Sequence, residues 1–206
     1  MARLKVGVLI SGRGSNLQAL LDACADPAFP AEIALVISNV ADASGLERAE
    51  KAGVPTVVIN HKDFSGREAF DAKLDEALRA HGIELVCLAG FMRLLTDGFV
   101  EGWRGKMINI HPSLLPSFKG LHTHRQALAA GVKLHGCTVH YVTPALDDGP
   151  IIAQGAVPVL EGDTEGTLAG RVLAVEHQIY PLALKIIAGV KATGSTPGAT
   201  LINPTV

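Results

Sequence analysis

The 206-residue chain is long enough to bury a full core, as one α/β domain or two small ones, with 48% hydrophobic but only 4% aromatic residues. Its formal net charge of −2 and its lack of any lysine or arginine run carry no footprint of a nucleic-acid or membrane binder. No apolar run spans a bilayer and no signal peptide precedes the first strand; three scattered cysteines, Cys24, Cys87 and Cys137, suit a reduced, cytoplasmic setting.

Residues 4–10 form a short apolar run, the pattern of a strand covered on both faces in a parallel sheet. Ser11-Gly12-Arg13-Gly14-Ser15-Asn16 follows, and residues 17–24 read as a helix. A strand over 33–38, a helix over 44–52 stopped by Gly53, and a strand over 56–59 repeat the unit. A longer helix spans 67–81, with Ala69, Phe70, Leu74, Ala77 and Leu78 on one face and Gly82 as its cap. Strands over 85–89 and 107–110 complete a βα alternation that predicts an α/β fold with a doubly wound, mainly parallel sheet.

The pattern then changes. Strand-like runs at 135–142 and 151–157 have no helix between them and predict an antiparallel strand pair in the C-terminal half. Residues 164–187 carry a helical pattern with Thr164 as cap, which Pro181 is expected to kink or split. From about Ala192 the chain is rich in Gly, Ser, Thr and Pro. The expected organisation is a single domain over residues 1–190 and a flexible tail over 191–206.

Chemistry concentrates in Asn109-Ile110-His111-Pro112-Ser113-Leu114-Leu115-Pro116. Alternation along a strand points Asn109 and His111 the same way if the strand reaches that far. The amide donates hydrogen bonds without charge and the imidazole carries a proton near neutral pH. That pair suits a carbonyl on which negative charge develops while a proton moves.

Gly12-Arg13-Gly14-Ser15-Asn16 lies between the first strand and the first helix, where free N–H groups and the helix dipole favour an anion. An ordinary tight turn with Ser15 as helix cap explains the glycines equally well. Leu17 occupies the third glycine position of the dinucleotide fingerprint, the second strand ends in Ser38-Asn39 without an acid, and no Lys-Ser/Thr pair follows. A small phosphate monoester therefore fits better than NAD or ATP. His111, His122, His124, His135 and His140 crowd near Cys137, yet no metal-ligand spacing occurs, so no metal is expected.

Asp147 and Asp148 precede Gly149-Pro150 as a turn, or one of them meets His111 and favours the imidazolium; the residues alone do not choose. Arg67, at the start of the long helix, and Arg93, beyond a strand's C-terminal end, are candidates to grip an acidic ligand. Arg67 reads equally as a solvated helix residue, and Glu176 and His177 as helix surface.

Ile10-Ser11-Gly12-Arg13-Gly14-Ser15-Asn16-Leu17, Leu88-Ala89-Gly90-Phe91-Met92-Arg93, the Asn109 to Pro116 segment and Leu146-Asp147-Asp148-Gly149-Pro150 occur in that order. So arranged, the chain resembles the phosphoribosylglycinamide formyltransferase family, folate-dependent enzymes of purine biosynthesis, over residues 5–187. The Asn-x-His-Pro-Ser-x-Leu-Pro segment marks the wider 10-formyltetrahydrofolate superfamily. The Gly-Ser-Asn loop and Glu176-His177-x-x-Tyr180-Pro181 narrow the resemblance to the glycinamide ribonucleotide branch.

The resemblance implies a Rossmann-like formyltransferase fold, with its N-terminal half on the phosphate side and its C-terminal half on the folate side. It makes Asn109, His111 and Asp147 the catalytic trio. Gly14, Ser15 and Asn16 hold the substrate phosphate and Glu176 the ribose; Leu173, one turn earlier, stands where some members are polar and is left out. Arg67, Met92, Arg93, Leu94, Leu95, Asn109, Thr143, Pro144, Ala145, Leu146 and Asp147 line the folate site, largely through backbone groups around the pterin.

The implied substrates are glycinamide ribonucleotide and 10-formyltetrahydrofolate, with no metal, nucleic acid or membrane, in a monomer or homodimer. The alternatives are formyltetrahydrofolate deformylase, methionyl-tRNA formyltransferase, and a non-catalytic nucleotide-binding module of the same fold. The two enzymes usually carry extra domains, for which this chain is expected to have no room.

Overall fold

The computed structural model describes residues 2–193 and 200–202. The chain divides into two compact units, Met1–Asn109 and Ile110–Val206, and the division falls inside one strand.

In the first unit β1 (Leu4–Ile10), β2 (Ala31–Ser38), β3 (Thr56–Val58), β4 (Leu85–Leu88) and β5 (Met107–His111) run in the order β3-β2-β1-β4-β5. Every neighbour in that series pairs in parallel, as the alternation predicts. Val6, Val8, Leu9 and Ile10 are fully buried, so β1 is covered on both faces, which is why its sequence shows no polar alternation. Chain order reverses between β1 and β4. In such sheets the loops beyond the strands' C-terminal ends at that point are where ligands bind.

Four helices connect these strands: α1 (Ser15–Cys24), α2 (Gly45–Lys51), α3 (Arg67–Ala80) and α4 (Asp97–Gly102). α3 buries Phe70, Asp71, Leu74 and Leu78, whereas Ala69 is exposed. The buried stripe is thus rotated towards Asp71, a charged residue that apolar periodicity passes over. α4 has only six residues, too few to show a helical period, and is announced by Thr96, whose hydroxyl accepts the Phe99 N–H at 3.3 Å.

In the second unit β6 (Leu134–Tyr141) and β7 (Ile151–Pro158) form the expected antiparallel pair. They are accompanied by α5 (Thr123–Ala129) and α6 (Glu165–Thr193). The Thr164 hydroxyl caps α6 by accepting the Thr167 N–H at 3.1 Å. The helix is not split at Pro181 but continues through it. Val172, Val175, Ile179, Ala183 and Ala188 are buried on both sides of the proline at helical spacing, so packing offsets the lost backbone bond.

Within the stretch expected as a tail, α6 reaches Thr193 and β8 (Thr200–Ile202) pairs in parallel with β7. The rest, residues 194–199 and 203–206, lies outside the described residues. Among the described residues no helix is long and apolar enough to cross a membrane.

β7 approaches α6 closely because Gly155 has no side chain; a Cβ there would collide with Val175 Cγ1. Gly155→Val should therefore destabilise the protein by about 1–3 kcal/mol through overpacking. A lowered urea midpoint at unchanged slope checks this, and Val175→Ala in the same chain should recover part of the loss.

Candidate active site

In the second unit the site begins where β5 ends. His111, only 5% exposed, presents Nε2 to the Phe118 carbonyl at 3.0 Å and Nδ1 to Asp147 Oδ2 at 3.5 Å. A carbonyl oxygen only accepts, so Nε2 carries a hydrogen. Nδ1 faces a carboxylate, also an acceptor, so a hydrogen on each nitrogen satisfies both contacts. The ring thus lies between two acceptor oxygens, one at each nitrogen.

The segment after His111 is fixed to the antiparallel pair. Thr138, fully buried on β6, donates its hydroxyl to the Ser113 carbonyl at 2.7 Å and accepts the Leu115 N–H at 3.0 Å. Gln154 on β7 donates to the Leu115 carbonyl at 2.9 Å and to Thr138 Oγ1 at 3.0 Å. The Leu115-Pro116 peptide is cis, and Thr123 at the start of α5 donates to the Pro112 carbonyl. Phe118 then adopts φ 55°, and its carbonyl meets His111.

Asp147 also sits in the left-handed region, at φ 48°, with its side chain 8% exposed. Its Oδ2 accepts the Gly120 N–H at 2.9 Å, which orients the carboxylate. Asp148 is exposed and paired with the Lys119 ammonium, which holds its carboxyl below the ordinary carboxylate range. Of the two adjacent acids, Asp147 faces the imidazole. Two left-handed non-glycine residues, Phe118 and Asp147, thus flank His111, each holding an oxygen towards it at a cost in backbone strain.

The other histidines of this unit play a different part. His140 Nε2 lies 4.0 Å from Asp147 Oδ1, its Nδ1 lies 2.9 Å from the Tyr141 carbonyl, and burial pushes its pKa down. His135 is pushed down to about 4 by burial first, then by His124 and His111. His124 Nδ1 lies 3.2 Å from His135 Nε2, and burial lowers His124 too. Burial thus disfavours a charge on each of these three rings. Among the described residues no group of three His, Cys, Asp or Glu is placed to hold a metal.

Glu176 is not a surface residue: it is 7% exposed, and after burial its charge is the next cause raising the Cys137 thiol on β6. His177 beside it is half-buried. Thr143, Pro144, Ala145 and Leu146 lead from β6 to Asp147, with the Thr143 hydroxyl on the Ala145 carbonyl at 3.2 Å and Leu146 57% exposed.

In the first unit Gly14 stands as the residue before α1, at φ 68° and ψ 34°, with no side chain capping the helix. A Cβ on Gly14 would lie 2.7 Å from the Gly45 Cα, and the Gly45 N–H donates to the Gly12 carbonyl at 3.0 Å. The glycines are thus required for close backbone packing. Ser15 and Asn16 lie inside the first turn, so Ser15 is not the cap. Arg67 opens α3 and is exposed, as are Met92, Arg93 and Leu94, while Leu95 is half-buried. Asn109, half-buried, pairs with Leu88 two residues before His111 on β5.

Sequence reasoning missed Phe118, Gly120, Thr138 and Gln154. Phe118 and Gly120 act through backbone groups and carry no compositional signal. Thr138 and Gln154 differ from ordinary strand polar residues only through contacts 16 or more positions away.

Residues 4–184 match the family model described as formyl transferase. The chain belongs to the formyl transferase family. The match takes in every predicted site residue, from Gly14 to Glu176. Over 185 residues the chain is 49% identical to a phosphoribosylglycinamide formyltransferase of Escherichia coli, covering 90% of this chain and 87% of that protein.

It is 56% identical over 186 residues to the trifunctional purine biosynthetic protein adenosine-3 of Bos taurus, covering 90% of this chain; the chain spans 18% of that relative's length. The crystal structure of glycinamide ribonucleotide transformylase 1 from Symbiobacterium toebii superposes with a TM-score of 0.88 at 53% identity, over 91% of this chain and 88% of that one. The mainly parallel sheet with its antiparallel C-terminal pair is therefore the formyltransferase form of the Rossmann-like fold.

A pH effect on stability follows from His135. Its folded pKa, about 4, lies below the ordinary 6.5, so the unfolded chain takes up the proton first as pH falls. Stability should be whole above pH 6.5, decline towards pH 4 and lose nothing more from this group below that. Urea midpoints measured across this window should fall with pH, and His135→Asn should flatten the decline.

Proposed function

We propose that this formyl transferase moves the formyl group of 10-formyltetrahydrofolate to the amine of phosphoribosylglycinamide, a step of purine biosynthesis. The carrying observation is the His111 ring set between the Asp147 carboxylate and a carbonyl oxygen, two residues after Asn109. The relatives named phosphoribosylglycinamide formyltransferase support the choice of substrates.

The glycinamide amine attacks the formyl carbon and a new C–N bond forms. The carbonyl electron pair moves to oxygen and gives a tetrahedral oxyanion, which Asn109 and the His111 imidazolium meet with hydrogen bonds. In this geometry the Phe118 carbonyl oxygen stands at Nε2 where the oxyanion is received, so that bond is exchanged when substrate binds. Asp147 orients the imidazolium and balances its charge. The oxyanion then collapses, the bond to the folate nitrogen breaks, and that nitrogen gains the proton lost by the amine, relayed by His111 or by a water held at the trio.

Gly14, Ser15 and Asn16 offer the phosphate backbone N–H groups at the start of α1. Glu176, a buried carboxylate on α6, accepts the ribose hydroxyls. Met92 to Leu95 and Thr143 to Asp147 hold the pterin through backbone groups, and Arg67 and Arg93, both exposed, offer their guanidinium groups to the folate's carboxylates. Asn109 also belongs to the folate site. Holding two substrates in register supplies much of the acceleration.

The deciding assay mixes the protein with the ribonucleotide and the formyl folate and follows deformylated folate. Product should form only when the ribonucleotide is present. Product without it means a deformylase, and none at all means a binding module. Loss of one oxyanion donor costs about 3 kcal/mol, roughly a hundredfold in turnover. Asn109→Ala, His111→Ala and Asp147→Asn should each lose about that or more. Near-normal turnover by folded His111→Ala contradicts the assignment.

A further inference from the structure

We infer that Ser11 is a positioning residue for the folate loop, with its hydroxyl, oriented by Asn39, holding the Met92 backbone in its binding position. The inference rests on the proposed assignment of residues 92–95 to the folate.

Ser11 follows the C-terminal end of β1, directly before Gly12. Its hydroxyl has one hydrogen, which goes to Asn39 Oδ1 at 2.5 Å, and its Oγ accepts the Met92 N–H at 2.8 Å. Asn39 follows β2 and is 2% exposed, and its Nδ2 lies 3.0 Å from His61 Nδ1. An exchange of the two ends of the Asn39 amide would turn its N–H groups towards Ser11 and remove the acceptor of the hydroxyl hydrogen. The buried amide therefore fixes the direction of the hydroxyl, and the hydroxyl fixes Met92.

The loop needs such a holder. The Met92 and Leu94 side chains are 68% and 65% exposed and gain almost nothing from packing. Three polar or aromatic attachments anchor the segment instead. Met92 is held by Ser11, Phe91 stacks on Phe70 with ring centroids 6.4 Å apart, and the Thr96 N–H donates to the buried carboxylate of Asp71 at 2.6 Å. Of these, the Ser11 bond is the one made to the backbone inside the folate-binding stretch itself. A ligand gripped by backbone groups is sensitive to their placement, so loss of this bond acts on folate binding before it acts on chemistry.

The test is steady-state kinetics of Ser11→Ala and Ser11→Thr with each substrate varied in turn, together with hydrogen exchange at the Met92 amide. Removal of one hydrogen bond should raise the folate KM of Ser11→Ala about fivefold, with kcat and the ribonucleotide KM within about twofold. Ser11→Thr, which keeps the hydroxyl, should stay near wild type, and Met92 exchange should quicken only in the alanine variant. An unchanged folate KM in active Ser11→Ala, or an equal fall of kcat in both variants, overturns the inference while leaving the proposed function standing. If the wild type shows no turnover, the proposed function fails. Unchanged Met92 exchange in Ser11→Ala then overturns the inference as well, and quickened exchange supports Ser11 as the holder of this loop.

Discussion

An imidazole ring held between two oxygens is the constraint on which the site depends. The Phe118 carbonyl at Nε2 and the Asp147 carboxylate at Nδ1 leave His111 no direction in which to accept a hydrogen bond. Both oxygens are delivered by residues in the left-handed region, where a side chain costs of order 1–3 kcal/mol. The surroundings must sustain that cost. Ahead of Phe118, Thr138 and Gln154 lock the backbone of Ser113 and Leu115 through three polar contacts, and the Gly120 N–H holds the Asp147 carboxylate. The antiparallel pair is in this sense the frame that holds a donor ring in place.

The same low-polarity surroundings sort the histidines by role. Burial depresses His124, His135 and His140, so a charge on any of them is disfavoured. His111 is set apart by the shorter approach of the shared carboxylate, 3.5 Å from its Nδ1 against 4.0 Å from His140 Nε2, and by its place at the end of β5. The cluster of histidines, whose spacing in sequence fits no metal site, resolves into His111 against Asp147 and Phe118 and neighbouring rings in which burial disfavours a charge. In the first unit the parallel sheet follows a simpler logic. The turn at Gly14, the buried Asn39 and the segment around Met92 all leave the C-terminal ends of strands, and Ser11 ties the last two together.

Much of this was legible in the sequence. Largely apolar runs at β1, β2 and β4 mark strands buried on both faces, and the missing helix between β6 and β7 marks the change to antiparallel pairing. The order of four short motifs was enough to suggest the family before any geometry. Other features lie outside what periodicity encodes. Asp71 occupies a buried helix position because its carboxylate meets the Thr96 N–H, a contact 25 residues away. α4 is shorter than two helical turns, and the apolar stripe of α6 keeps its phase through Pro181 when local propensity predicts a break. The choice between Asp147 and Asp148 turned on a backbone angle and on Lys119, neither of which spacing reveals.

The central claim is that the His111 Nε2 hydrogen, now on the Phe118 carbonyl, serves the oxygen of the tetrahedral intermediate. A crystal structure with a stable tetrahedral mimic of the formyl-transfer intermediate and the ribonucleotide tests it most directly. The account predicts that Nε2 has left the Phe118 carbonyl and lies within hydrogen-bonding distance of the mimic's oxygen, with Asp147 still against Nδ1. A structure in which the mimic is bound but Nε2 remains on Phe118, or in which its oxygen is met by neither His111 nor Asn109, would contradict the account.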